Sequence, residues 1–311
     1  MSERLRVLSH LPADRLARVT EQIPDIELIP IADQGTLPAD LRGDVLVTYT
    51  WGAPNIAEAV ARGVRWIHTI GTGVDRFPFA VVGDRVLSCS RGASAVPIAE
   101  WVLATMLAFE KRLPEAWIHE PAGWRRMQLG GLSGRTLGLL GLGGIGSAVA
   151  ERALPFGMDV IARRRTETPS PVAGVEMVGS IDDVLVRADH LVLALPSTPE
   201  TRHVLDARAL AHVKHGVHLV NVARGTLVDQ DALRAALDEG RVACASLDTA
   251  EPEPLPEGHW LYAHPRVRLS PHVSWSMPGA LETFVDAFVD NLRRFRTGLP
   301  LHGVVDVARG Y

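Results

Sequence analysis

The run Leu137-Gly-Leu-Leu-Gly-Leu-Gly-Gly-Ile-Gly146 constrains the fold of this chain more than any other segment. Gly141, Gly143 and Gly146 have the G-x-G-x-x-G spacing. The first glycine turns the chain tightly, the second lets backbone approach a diphosphate, and the third lets helix pack on strand. Spacing alone is weak evidence, because glycine-rich turns are common. Here the apolar run Thr136–Leu140 precedes the glycines, and Ile145, Val149, Ala150 and Ala153 follow at helical intervals. A strand feeding such a turn aims a helix N-terminus at an anion. The segment reads as a dinucleotide-binding turn, with Gly144 and Ile145 among the amides offered to phosphate.

Short apolar runs alternate with helical patterns along the chain. Leu5–Leu8, Ile26–Ile29, Val45–Thr48, Trp66–Thr69 and Val86–Ser88 are strand candidates, with helices over Asp14–Gln22 and Asn55–Arg62. After residue 135 come Thr136–Leu140, Met158–Ala162, His190–Leu195, Val217–Val222, Val242–Leu247 and Val267–Leu269. Continuously apolar strands suit a parallel sheet covered on both faces. Pro97–Arg112 is apolar nearly all round a helix and must be buried on more than one side, against a second domain or a second subunit. Pro278–Arg296 is amphipathic, with Gly298 beyond its end. A length of 311 residues with 47% hydrophobic content allows two domains. We place residues 1–92 in one, completed by 283–311, and 93–282 in the dinucleotide-binding one.

Composition removes several function classes. A net charge of −4 gives no support to nucleic-acid binding. No apolar run reaches membrane-span length, and the N-terminus enters Val7-Leu8 without a leader-like apolar core, so a cytoplasmic protein is expected. The two cysteines, Cys89 and Cys244, lie in separate apolar runs and are expected as buried free thiols. No Cys/His cluster has metal-ligand spacing, and no metal is expected.

Three segments place charge at predicted strand ends: Val220-Asn-Val-Ala-Arg-Gly225, Ala245-Ser-Leu-Asp-Thr-Ala-Glu-Pro-Glu253 and Leu269-Ser-Pro-His-Val273. Ligands of open parallel sheets bind beyond the carboxyl ends of strands. These segments, with the glycine turn, Ile70-Gly-Thr-Gly-Val-Asp75 and Leu193-Ala-Leu-Pro-Ser-Thr-Pro-Glu-Thr201, closely resemble the D-isomer-specific 2-hydroxyacid dehydrogenase family over nearly the whole chain. The resemblance implies a Rossmann-type nucleotide domain, a flavodoxin-like substrate domain and a cleft between them. It implies reversible hydride transfer between a nicotinamide and a small 2-oxo acid, glyoxylate or hydroxypyruvate first, giving a D-2-hydroxy acid, and a homodimer.

The same resemblance implies site roles. Arg224 clamps the substrate carboxylate, a bidentate task suited to its planar fork. His272 exchanges a proton with the substrate oxygen, while Glu253 orients the ring through its other nitrogen and favours the acid form. Backbone around Thr72, Gly73 and Val74 completes the carboxylate site. Asp248 holds the nicotinamide carboxamide, and Leu195, Pro196, Thr201 and Val222 line the cofactor. His259 and His264 lie outside this context and are expected at the surface.

The cofactor's phosphate is addressed separately. A carboxylate for the ribose 2′-hydroxyl is expected roughly 20 residues past the glycine motif. The second strand instead runs into Arg163-Arg164-Arg165, and the family's usual aspartate position falls on Arg164. Three guanidinium groups suit a 2′-phosphate, so NADP(H) is expected over NAD(H). Rival readings are phosphite or other small-anion oxidation on the same fold, and a nicotinamide sensor resembling the C-terminal-binding co-repressors.

Overall fold

The computed structural model describes residues 4–166 and 168–311. The chain forms two compact units: one from residues up to Ser94 together with Met277–Tyr311, the other from Ala95–Ser276.

The first unit is built on β1 (Leu5–Ser9), α1 (Ala17–Gln22), β2 (Ile26–Pro30), β3 (Val45–Tyr49), α2 (Ile56–Val60), β4 (Trp66–Ile70) and β5 (Val86–Cys89). Its strands form one parallel sheet in the order β2-β1-β3-β4-β5. Val45–Thr48 and Trp66–Thr69 are buried at every position, Thr48, His68 and Thr69 included, as central strands of a covered parallel sheet require. The predicted helix over Asp14–Gln22 divides into a 3-10 turn, Ala13–Leu16, followed by α1.

The second unit begins with α3 (Ala95–Glu110) and continues with β6 (Thr136–Leu140), α4 (Gly144–Ala153), β7 (Asp159–Arg163), β8 (Val175–Met177) and α5 (Ile181–Arg187). It proceeds through β9 (His190–Leu193), α6 (Ala207–His212), β10 (Val217–Asn221), α7 (Gln230–Asp238), β11 (Val242–Leu247) and β12 (Val267–Leu269). Seven parallel strands lie in the order β12-β11-β10-β9-β6-β7-β8. Chain direction across the sheet reverses between β6 and β9, where such folds open a crevice. Strand β8 escaped prediction: it is a three-residue edge strand in which Glu176 separates the two core-facing residues, Val175 and Met177, too short for a pattern to show. Strand β9 ends at Leu193, so Leu195 and Pro196 belong to the following loop.

Helices α5, α6 and α7 cover one face of this sheet through Val184, Leu210, Leu233 and Leu237, and α3 and α4 cover the other through Val102, Met106 and Val149. A polar seam interrupts the second face. Glu110 Oε1 lies 3.1 Å from His190 Nε2, the Nδ1 atoms of His190 and His218 are 3.1 Å apart, and His218 Nε2 lies 2.9 Å from Ser246 Oγ. Phe109 stacks on His218 at 4.6 Å. The hydrogen bond from His190 outweighs burial and holds the Glu110 carboxyl below its ordinary value.

The chain returns to the first unit in α8 (Ala280–Thr297). Phe288 and Phe295 pack at 5.6 and 5.2 Å from the wholly buried Trp66 ring of β4, covering one face of the five-stranded sheet. The divisions after Ser94 and Ser276 differ from the expected 92/93 and 282/283, because α8 packs with the first unit along its whole length. Cys89 and Cys244, one in each unit, are buried free thiols, and burial pushes both upward in pKa.

Candidate active site

Three loops at the carboxyl ends of β10, β11 and β12 build a charged cluster in the second unit. Arg224 stands three residues past β10 in extended backbone, its Nη1 donating to Ala223 O at 2.7 Å. Asn221 fixes this turn, accepting from Ala223 N at 3.0 Å and donating to Arg224 O at 2.9 Å. At Gly225 the chain passes so near the next loop that a Cβ would lie 2.0 Å from the Ala250 carbonyl carbon. Only glycine permits that approach, which brings Arg224 beside the loop carrying Glu253.

Glu253 and His272 form a hydrogen-bonded pair, Oε2 to Nδ1 at 3.1 Å, with both side chains partly exposed. Glu253 Oε1 also accepts from Ala250 N at 3.0 Å. Burial alone would push the Glu253 carboxyl up; the bonds from His272 and Ala250, with the nearby His272 and Arg224 charges, outweigh it and hold the group below its ordinary value. With Nδ1 engaged, Nε2 is the ring nitrogen left to act on a substrate.

Asp248 supports this arrangement in a way the sequence did not reveal. It is 1% exposed. Its Oδ1 accepts from Ser270 Oγ at 2.5 Å and Val273 N at 2.9 Å, and its Oδ2 from Ser274 N at 2.9 Å. Its backbone oxygen accepts from His272 N at 2.9 Å. Asp248 therefore grips the histidine segment from both sides of the imidazole-bearing residue. Asn221 was missed as well; its one sequence signal is an amide at the end of a buried strand.

The glycine turn fits a dinucleotide diphosphate. Gly141 has φ of 102°, and a Cβ there would lie 2.5 Å from Ala194 O; one at Gly146 would lie 2.2 Å from Gly141 O. A Cβ at Gly143 would meet nothing within 4 Å. The first and third glycines are thus required by packing, and the second faces open space. The N-cap of α4 is Gly143, which has no side chain to cap the helix, so its first amides are open to an anion.

At the end of β7, Arg163 donates to Arg164 O at 2.7 Å and Arg164 Nη2 to Pro169 O at 3.0 Å. Arg164 Nε is buried without a hydrogen-bond partner among the described residues. Arg165 is exposed and helps hold the Glu200 carboxyl low, after the hydrogen bond from Thr198. Thr201 Oγ1 closes its own turn onto Pro196 O at 2.7 Å, Leu195 is half-buried beside it, and Val222 is buried beyond β10.

Thr72, Gly73 and Val74 follow β4 in the first unit. Val74 is buried in that unit's core, so its backbone alone can serve a ligand, and Thr72 Oγ1 lies 3.4 Å from Ser90 O. The expectation that His259 and His264 are plain surface residues is corrected. Both are half-buried; His259 Nδ1 accepts from Leu261 N, and His264 Nε2 lies 3.3 Å from Asp238 while its Nδ1 accepts from Arg266 N. They brace local turns.

Residues 103–274 match the family model described as D-isomer specific 2-hydroxyacid dehydrogenase, NAD binding domain. The chain is 34% identical to hydroxypyruvate reductase of Thermotoga maritima over 81% of its own length and 78% of the relative's. It is 31% identical to D-3-phosphoglycerate dehydrogenase of Methanocaldococcus jannaschii over 93% of its length, and spans 57% of that longer protein. A structure of a D-isomer specific 2-hydroxyacid dehydrogenase from Xanthobacter autotrophicus, in complex with NADPH and MES, superposes with a TM-score of 0.87 at 27% identity, covering 99% of this chain and 100% of that one. The chain belongs to the D-isomer-specific 2-hydroxyacid dehydrogenase family, whose members are nicotinamide-dependent oxidoreductases.

Proposed function

We propose that this protein reduces a small 2-oxo acid, glyoxylate or hydroxypyruvate first, reversibly to the D-2-hydroxy acid, with NADPH preferred over NADH. The observation that carries this reading is the Glu253–His272 pair with the Arg224 guanidinium beside it.

When bound, the nicotinamide supplies the hydride for the reaction. His272 Nε2 gives a proton to the keto oxygen during reduction and takes it back during oxidation. Glu253 keeps Nδ1 occupied, which fixes the ring's orientation and leaves Nε2 facing the substrate. Arg224 holds the carboxylate and polarises the keto oxygen; the backbone amides of Thr72, Gly73 and Val74 are further carboxylate donors in this reading. The first amides of α4, at Gly144 and Ile145, take the diphosphate, and Leu195, Pro196, Thr201 and Val222 line the adenosine and nicotinamide portions. Asp248 uses three of about four acceptor positions on its loop, leaving one for the carboxamide.

Arg164, with its unpartnered Nε, supports the NADPH preference. The test is a panel of 2-oxo acids assayed with both cofactors, using wild type and Arg164→Asp. Wild type should turn over small 2-oxo acids and bind NADPH more tightly. The variant should lose about 1.5–3 kcal/mol of that discrimination, one charge-assisted contact. Equal wild-type affinities would reject the preference, and binding without turnover would reject the activity.

The segment between α3 and β6 supports a homodimer. Trp117, Ile118, Trp124 and Leu129 are 62, 40, 83 and 43% exposed, large apolar side chains close in sequence that a second copy could cover. Light scattering should give twice the chain mass; a monomer at micromolar concentration would reject this.

A further inference from the structure

We propose that Trp275 is a positioning residue for His272: its indole N–H holds the His272 carbonyl and so fixes where the imidazole points. This rests on the acid–base role given to His272 above.

His272 has φ of 54°, in the left-handed region that a side chain with a Cβ rarely adopts. Such a conformation costs about 1–3 kcal/mol and persists where surrounding contacts over-determine it. The contacts here can be traced one peptide at a time. The peptide before His272 is pinned by its N–H to Asp248 O at 2.9 Å. The peptide after it is held at both ends: Val273 N–H donates to Asp248 Oδ1 at 2.9 Å, and His272 O accepts from Trp275 Nε1 at 2.9 Å. Fixing both peptide planes fixes φ and ψ of His272, and with them the direction of its Cα–Cβ bond. Asp248 holds the amide side of the second plane, and Trp275 holds its carbonyl side.

The indole can serve as an anchor because its ring is not a surface group. It is half-buried and packs against the core cluster formed by α3, α4 and the inner residues of β6, β9 and β10. The same cluster contains Ala148 and Val149 of α4, the helix that opens with the glycine turn. Trp275 therefore ties the backbone of the proton donor to the core on this face of the seven-stranded sheet. The charged groups facing His272 are Glu253, bonded to its ring, and Asp248, bonded to its backbone, with Arg224 beside Glu253. Loosening the carbonyl would let the ring swing away from Glu253 without removing any charge.

The decisive experiment replaces Trp275 alone with β-(3-benzothienyl)alanine, which keeps the ring shape and substitutes sulfur for the N–H; Trp275→Phe is the genetic counterpart. The expected result is a kcat lower by roughly tenfold, since displacements of an ångström can cost up to about a hundredfold. KM and the NADPH dissociation constant should stay within about twofold, because neither site loses a contact. Proton NMR supplies a readout independent of turnover: the His272 Nδ1 proton, shielded by Glu253, should exchange faster with solvent in the variant. Unchanged kcat and unchanged exchange in the sulfur isostere would overturn the proposal. Absence of 2-oxo-acid turnover in wild type would instead overturn the assigned activity, while the exchange measurement still decides whether the indole holds the ring.

Discussion

Replacing His272 with alanine is expected to lower kcat for 2-oxo-acid reduction by about 10²–10⁴, the usual contribution of a positioned general acid. The keto oxygen acquires negative charge as hydride arrives, and without Nε2 its proton must come from water. Cofactor affinity should hardly change, since the glycine turn and arginine cluster lie at other strand ends, after β6 and β7. The variant should fold, because the segment remains tied through its backbone to Asp248. Alanine tolerates the left-handed φ less well than histidine, so a small loss of thermal stability should accompany the rate loss. Stopped-flow reduction and equilibrium NADPH binding on one preparation separate the two effects. Near-normal turnover would remove His272 from the chemistry.

The second large effect is expected at Arg224. Arg224→Gln removes a charge and two forked donors from the substrate carboxylate. At about 1.5–3 kcal/mol for each charge-assisted hydrogen bond, kcat/KM should fall by roughly 10²–10⁴. Arg224→Lys should recover only part of that, because an ammonium keeps the charge and loses the fork. The loss should appear mostly in KM if the carboxylate is gripped equally throughout, and in kcat as well if the guanidinium leans on the developing oxyanion. Lysine kinetics indistinguishable from wild type would reject bidentate binding.

Much of this architecture was legible because parallel strands in a covered sheet are written as unbroken apolar runs. Thr136–Leu140 and Val242–Leu247 have the expected boundaries, and so does Val267–Leu269 although Arg268 interrupts it. The glycine turn was legible because backbone contact leaves no room for alternatives at Gly141 and Gly146. Charge at strand ends was legible because such a sheet has a known ligand edge. What stayed hidden depends on which group in space a polar side chain selects. Asp248 reads from its position as a cofactor ligand, yet it spends most of its capacity on the 270–274 segment. From sequence, Trp275 could narrow the pocket, contact an aromatic substrate or pack between domains, and only its distance to His272 O assigns it. His190 and His218 each read as an isolated histidine in an apolar strand, because nothing in the sequence pairs residues on neighbouring strands.

That pairing has a consequence for how the larger sheet assembles. Strands that are apolar on both faces carry little information about alignment, since sliding one past another exchanges one apolar side chain for its equal. The residues alternating with the seam, Leu191, Leu193, Leu219 and Ala245, all face the opposite core. Shifting β10 by one position would turn the His218 ring into that core and leave the His190 Nδ1 atom without a mate, at about 1–3 kcal/mol for each stranded group. Glu110, His190, His218 and Ser246 thus act as a key cut across three strands, admitting one alignment of β9, β10 and β11 and hence one placement of the loops that carry Arg224 and Glu253.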